Sequence, residues 1–99
     1  MQYNFKWDPN KAKSNIRKHG ISFEEASNIF KDPLMLTLFD ESHSERDKER
    51  WITLGKINFS KYVVVSHAYL DEESNTITIR IISARSASKA ETRQYEEYQ

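Results

Sequence analysis

Residues 76–85 read Thr-Ile-Thr-Ile-Arg-Ile-Ile-Ser-Ala-Arg, a β-branched run with Arg80 in its interior and Arg85 at its end. Alternation puts Ile77, Ile79, Ile81 and Ser83 on one face of such a strand and Thr78, Arg80, Ile82 and Ala84 on the other. A guanidinium there keeps its proton, so it needs water, a carboxylate or another anion. Two readings stay open: an arginine on a solvated face or in an ion pair, and an arginine poised for a phosphate. A third arginine, Arg50, opens another apolar alternation. His67 is the best general acid or base by type, because imidazole titrates near neutrality. It shares a strand face with Val63 and Val65, which equally describes a packed, hydrogen-bonded core histidine. His19 suits the end of a helix, and His43 falls in a charged connection. Three histidines without i,i+4 spacing, in a chain with no cysteine, make no metal site. Lys11 and Lys18 lie seven residues apart on one helical stripe, where they either face water or track a phosphate backbone. Trp7, Phe23, Phe30 and Trp51 read as core before they read as base-stacking platforms.

The elements that must position these groups follow from caps and periodicity. Tyr3, Phe5 and Trp7 alternate with polar residues, giving a first strand over 2–7. Asp8-Pro9 opens a helix as N-cap carboxylate and first-turn proline, and Lys18-His19-Gly20 ends it. Its expected inner stripe is Ala12, Ile16 and His19. Ser22 with Glu25 forms a capping box for a second helix, which Asp32-Pro33 closes. Strands are expected over 34–39, 50–57, 62–69 and 76–85, with a charged connection at 40–49 and a turn at 71–75. Ser88 with Glu91 caps a terminal helix running to about residue 98. The fold class is α+β, an antiparallel sheet meander with helices on one face, in the order β-α-α-β-β-β-β-α.

Ninety-nine residues suit one domain with room for a single sheet and a few helices. Any activity then sits on a shallow groove. The N-terminus carries no signal-peptide core and no apolar run reaches membrane-spanning length, so a cytoplasmic protein is expected. Net charge is zero, with 15 basic and 15 acidic side chains, yet the charges are segregated. Residues 1–20 hold five bases against one acid, and residues 21–50 hold eight acids against four bases. Segregation can build a positive surface on a neutral protein.

In this order the residues resemble the BrnT family of bacterial type II toxins, a branch of the RelE-like ribonuclease fold. The matching motifs are Phe5-Lys6-Trp7-Asp8-Pro9 with Lys11 and Asn15, then the run from Lys18 to Ala26, and Asp32-Pro33-Leu34. They continue with the run from Glu49 to Gly55, Val63-Val64-Val65, the run from Ile79 to Arg85, and Glu91 with Tyr95-Glu96. The likeness spans essentially the whole chain, as one toxin domain over 1–99. It implies a metal-independent endoribonuclease without cofactor that inhibits translation. It also implies a BrnA-type ribbon-helix-helix antitoxin as partner in a toxin–antitoxin hetero-oligomer. On the matched positions, Arg50, Arg80 and Arg85 become candidate catalytic residues, and Lys11, Lys18 and His19 candidate RNA-binding residues; His67, outside the matched motifs, joins the catalytic candidates by residue type alone. The competing role for Arg85 is a buried ion pair with Glu24, Glu25 or Glu91, which fixes fold rather than chemistry. The alternative is a non-catalytic module that keeps the fold, binds the antitoxin and tunes operon repression. Ser86, where the pattern continues with a basic residue, fits that alternative.

Overall fold

Local capping sets the helix boundaries. The structure, a computed structural model, describes residues 2–46, 48–73 and 75–98. After strand β1 (Gln2–Lys6), the Asp8 side chain accepts from Asn10 N at 2.8 Å and opens α1 (Pro9–His19). Gly20 ends α1 with a left-handed φ of 69°, and its N–H donates to Ile16 O. The Ser22 hydroxyl accepts from Glu25 N and caps α2 (Phe23–Ala26), which is half of the expected box. The Glu25 carboxylate accepts instead from Lys61 Nζ, and the helix tightens into a 3₁₀ segment over Ser27–Lys31. The Ser27 hydroxyl donates to Glu24 O and the Asn28 amide to Glu25 O, so side chains compete for the helical carbonyls. Asp32 ends that segment and anchors three elements. One carboxylate oxygen accepts from Leu34 N, and the other accepts from Lys56 N and the Tyr95 hydroxyl.

Four further strands follow: β2 (Leu36–Phe39), β3 (Trp51–Asn58), β4 (Lys61–Glu73) and β5 (Thr76–Ser86), then α3 (Lys89–Glu97). β4 runs well past the expected end at residue 69. Most of the expected 71–75 turn is therefore strand, with Asn75 at φ 74°; Ser74 lies outside the described residues. β2 to β5 form the expected antiparallel meander. β1 corrects the expectation. It pairs parallel with β5, giving a mixed five-stranded sheet of order β1-β5-β4-β3-β2. The meander alone would end on β2 at one edge and β5 at the other, and β1 covers the β5 edge.

The helices also divide between two faces rather than sharing one. α1, α2 and the 3₁₀ segment cover one face over Phe23, Ile29, Val63, Val65, Ile79 and Ile81. α3 covers half of the other, where Tyr95 packs on Leu54 and Val64. Gly55 permits the first packing, since a Cβ there would lie 2.7 Å from the Ile29 Cβ. On α1 the expected stripe is rotated. Ile16 is 51% exposed and His19 is exposed, while Asn15 is buried. Asn15 completes the hydrogen bonding of β5 beyond the end of β1. Its amide donates to Ala84 O and Ile21 O at 2.9 Å, and its oxygen accepts from Ala84 N at 3.0 Å.

A bulge decides which way the last strand's arginines point. Ser66 pairs with Ser83 but His67 with Ile81, so β5 carries an extra residue, Ile82. The alternation shifts there, and Ala84 turns into the core where Ser83 was expected. Arg80 and Arg85, five residues apart, therefore leave the sheet on the same face, the one that carries α3.

Candidate functional site

The half of that face left open by α3 is the floor of a groove of about 730 Å³. Register builds it. Ala68 on β4 stands opposite Arg80 on β5, and one step beyond the Trp51–His67 pair Arg50 comes beside Ala68. Arg50 and Arg80 are thus two strands apart, about 10 Å, across a small apolar residue. Ile82 and Leu70 complete the apolar part. Lys11, at the start of α1, lines one side, and Arg46 and Lys48 line the other, with Glu49 the one carboxylate on the lining among the described residues.

Local hydrogen bonds hold the β2–β3 connection that delivers Arg50. Asp40 N donates to Arg50 O, and Arg50 N donates to the Ser44 hydroxyl at 2.8 Å. That hydroxyl donates in turn to Asp40 O, and Asp40 also holds Ser42 and His43. Neighbouring hydroxyl and imidazole donors keep the Asp40 carboxyl below the usual range against the opposing effect of desolvation. Among the described residues, Lys11, Arg46, Lys48, Arg50 and Arg80 have no ion-pair partner. Of the described residues, five cations and one carboxylate thus face a common space lined besides by partly exposed apolar side chains. Such a lining stabilises a phosphodiester and any further negative charge that builds on it.

Arg85 is at the edge of this face but engaged. Its two terminal nitrogens donate to the two Glu91 oxygens at 2.8 and 2.9 Å, so Glu91 is the partner among the three expected, in a pair that is partly exposed rather than buried. Glu91 also accepts from Ser88 N, and the Ser88 hydroxyl accepts from Glu91 N. The first turn of α3 is therefore capped from within the chain. The hydrogen bond to Arg85 holds the Glu91 carboxyl down to about 2.

His67 lies on the opposite face, fully buried and sealed off from the groove. Its ring meets Phe30 and Tyr69 edge-on at 5.1 and 5.2 Å. Nε2 lies 2.7 Å from the Thr53 hydroxyl, which lies 2.8 Å from that of Thr37. Nδ1 is buried without a partner among the described residues. A bare lone pair is easier to bury than an orphaned N–H, so the network assigns the proton to Nε2, donating to Thr53. Burial pushes the imidazole down to about 4, and it is neutral at pH 7. Of the candidates read from sequence, the groove collects Arg50, Arg80 and Lys11. Lys18 and His19 are exposed in the last turn of α1 and do not line it; there they oppose the negative end of the helix dipole. Arg46 and Lys48 were missed, because cations in a charged loop carry no pattern that periodicity can detect. Trp51 and Tyr69 contribute to the lining, but their rings turn to the other face and contact each other and Phe39. Phe23 and Phe30 are core as expected.

Among the described residues no three His, Cys, Asp or Glu side chains converge as metal ligands. No helix of the described residues is long and apolar enough to cross a membrane.

Comparison with known proteins adds two findings. Residues 7–91 match the family model described as the ribonuclease toxin BrnT of type II toxin–antitoxin systems. The crystal structure of the Brucella abortus ribonuclease toxin BrnT superposes with a TM-score of 0.60 at 23% identity, covering 90% of this chain and all of that one. That likeness establishes a shared fold. Among curated proteins no match is found.

Proposed function

This chain belongs to the BrnT family of ribonuclease toxins of type II toxin–antitoxin systems, and from that premise we propose that it cleaves RNA in the arginine-lined groove and thereby stops translation. The observation that carries the reading is the pair Arg50 and Arg80 on the open half of the sheet, both without an ion-pair partner among the described residues. The 2′-oxygen of a nucleotide attacks the adjacent phosphorus, and the bond to the 5′-oxygen breaks. The products are a 2′,3′-cyclic phosphate and a free 5′-hydroxyl. The attacking hydroxyl loses its proton to water, and water returns one to the leaving oxygen. The two guanidiniums stabilise the dianion between these events, and Lys11 adds a third positive charge from the side. The reaction needs no metal ion, because cationic side chains supply the charge a metal would.

Arg85 supports this site by fixing the junction of β5 and α3, and His67 by fixing the sheet beneath it. The antitoxin, a BrnA-type ribbon-helix-helix protein, neutralises the toxin in the cytoplasm by covering the groove with acidic side chains. Arg50 and Arg80, retained at the family's matched positions and without carboxylate partners among the described residues, favour cleavage over the non-catalytic module.

Induction of this protein alone arrests growth on this reading, and co-expression of the antitoxin lifts the arrest. Normal growth at confirmed soluble expression would overturn it.

A further inference from the structure

Arg80 lines a second cavity besides the groove. This cavity, of about 440 Å³, is bounded by Phe5, Lys6, Trp7 and Arg80, so one guanidinium serves both spaces. The parallel pairing of β1 with β5 sets Lys6 directly opposite Arg80. Both leave the sheet on the groove face, because Phe5, Ile79 and Ile81 turn to the core. Lys6 is exposed and has no ion-pair partner among the described residues. From Arg50 past Ala68 to Arg80 and on to Lys6, the cations form one line across four strands. At the usual strand spacing that line is about 15 Å long. A row of this length suits a chain of regularly repeated negative charges better than a single anion. Trp7 follows Lys6 in the chain and lines the same cavity; it is half-buried, packed against the core cluster with its ring edge-on to Phe23 at 5.9 Å.

We propose that Lys6 and Trp7 form a flanking-nucleotide subsite for single-stranded RNA. Lys6 holds the phosphate next to the one that Arg80 engages, and the indole of Trp7 borders the attached base. The inference rests on the RNA reading above and gives the substrate a path across the strands rather than along them. Lys6 then contributes binding that is equal in ground and transition state, so its loss raises KM and leaves kcat unchanged. Each phosphate contact on a single strand contributes about 0.7 to the slope of log K against log salt.

Short 2′-O-methyl oligoribonucleotides, which lack the attacking hydroxyl, are the probe for binding. The chain has 2 tryptophans, so Trp51→Phe leaves Trp7 as the sole emitter. Binding followed by anisotropy is expected to change Trp7 emission. Lys6→Ser is expected to reduce the salt slope by about 0.7 and to raise KM for a cleavable RNA at constant kcat, with an unchanged Tm. Lys13→Ser, which removes the same charge from an exposed helical position outside both cavities, sets the baseline. If RNA binds while emission stays fixed, Trp7 is not in the subsite; if the slope stays fixed, Lys6 is not. A fall in kcat at constant KM moves Lys6 into the chemistry and overturns the subsite. Wild-type protein that binds no RNA at all overturns the RNA reading, and the subsite with it.

Discussion

Three guanidiniums share one face of the sheet, and what separates them is their company. Arg50 and Arg80 face the groove without carboxylate partners among the described residues, whereas Arg85 is held by both oxygens of Glu91. Arg50→Ala or Arg80→Ala should therefore lower RNA cleavage about 10²–10³-fold at unchanged Tm. Arg85→Ala should cost less in rate and more in Tm, and initial rates beside thermal melts give the order. His67 predicts a pH effect on stability rather than on chemistry. Burial lowers its pKa from 6.5 to about 4. Between those values the unfolded chain binds a proton that the folded one refuses. The histidine's contribution is thus complete above pH 6.5 and is lost as pH falls toward 4, by about 3 kcal/mol. Denaturant melts from pH 7 to pH 4 should show this loss, and His67→Gln should flatten it. The sequence showed the residue types and left the company open. Glu91 was one of three carboxylates within reach of the reading for Arg85. Whether His67 was base or core depended on which face the groove occupied, which no local pattern states.

Elements were legible wherever their signal is local. Asp8-Pro9, Ser22 and the Ser88–Glu91 box each cap a helix at the position their spacing announces, because a cap is satisfied within four residues. Non-local register was not legible. The parallel partner of β1 is 74 positions away along the chain, as in the Lys6–Arg80 pair, and nothing in 2–6 encodes it. The extra residue at Ile82 likewise depends on how β4 lies against β5, yet it brings Arg80 and Arg85 to one face. The Arg85–Glu91 pair then ties β5 to α3, and a double-mutant cycle measures the tie. Glu91→Ala removes the pair and the capping acceptor together, an expected loss of about 1–2 kcal/mol. Arg85→Ala alone should cost less than about 1 kcal/mol, because the pair is exposed. The two losses should add to more than the double variant's. Strict additivity in urea melts would mean the pair contributes nothing. The Glu91 carboxyl adds an acid limb of its own. Its folded pKa near 2 lies below the usual 4.5, so its contribution is present above pH 4.5 and disappears as pH falls toward 2.

On the scale of the whole molecule, a protein of zero net charge gathers cations where the sheet is open. α3 covers one half of a sheet face, α1 and the β2–β3 connection bring their cations to the edges of the other half, and the arginines rise from its floor. This arrangement explains how a neutral chain can bind a polyanion. It also explains why family membership was readable across residues 7–91 while the site was only partly so. The central claim is that Arg50 and Arg80 cut RNA. The most direct measurement is sequencing of RNA 5′-hydroxyl ends from cells minutes after induction of wild-type protein or of an Arg50→Ala/Arg80→Ala variant of matched Tm and expression. New 5′-hydroxyl ends with wild type and none with the variant are the predicted result. The same new ends with both proteins, or growth arrest by wild type with no new ends, would contradict it.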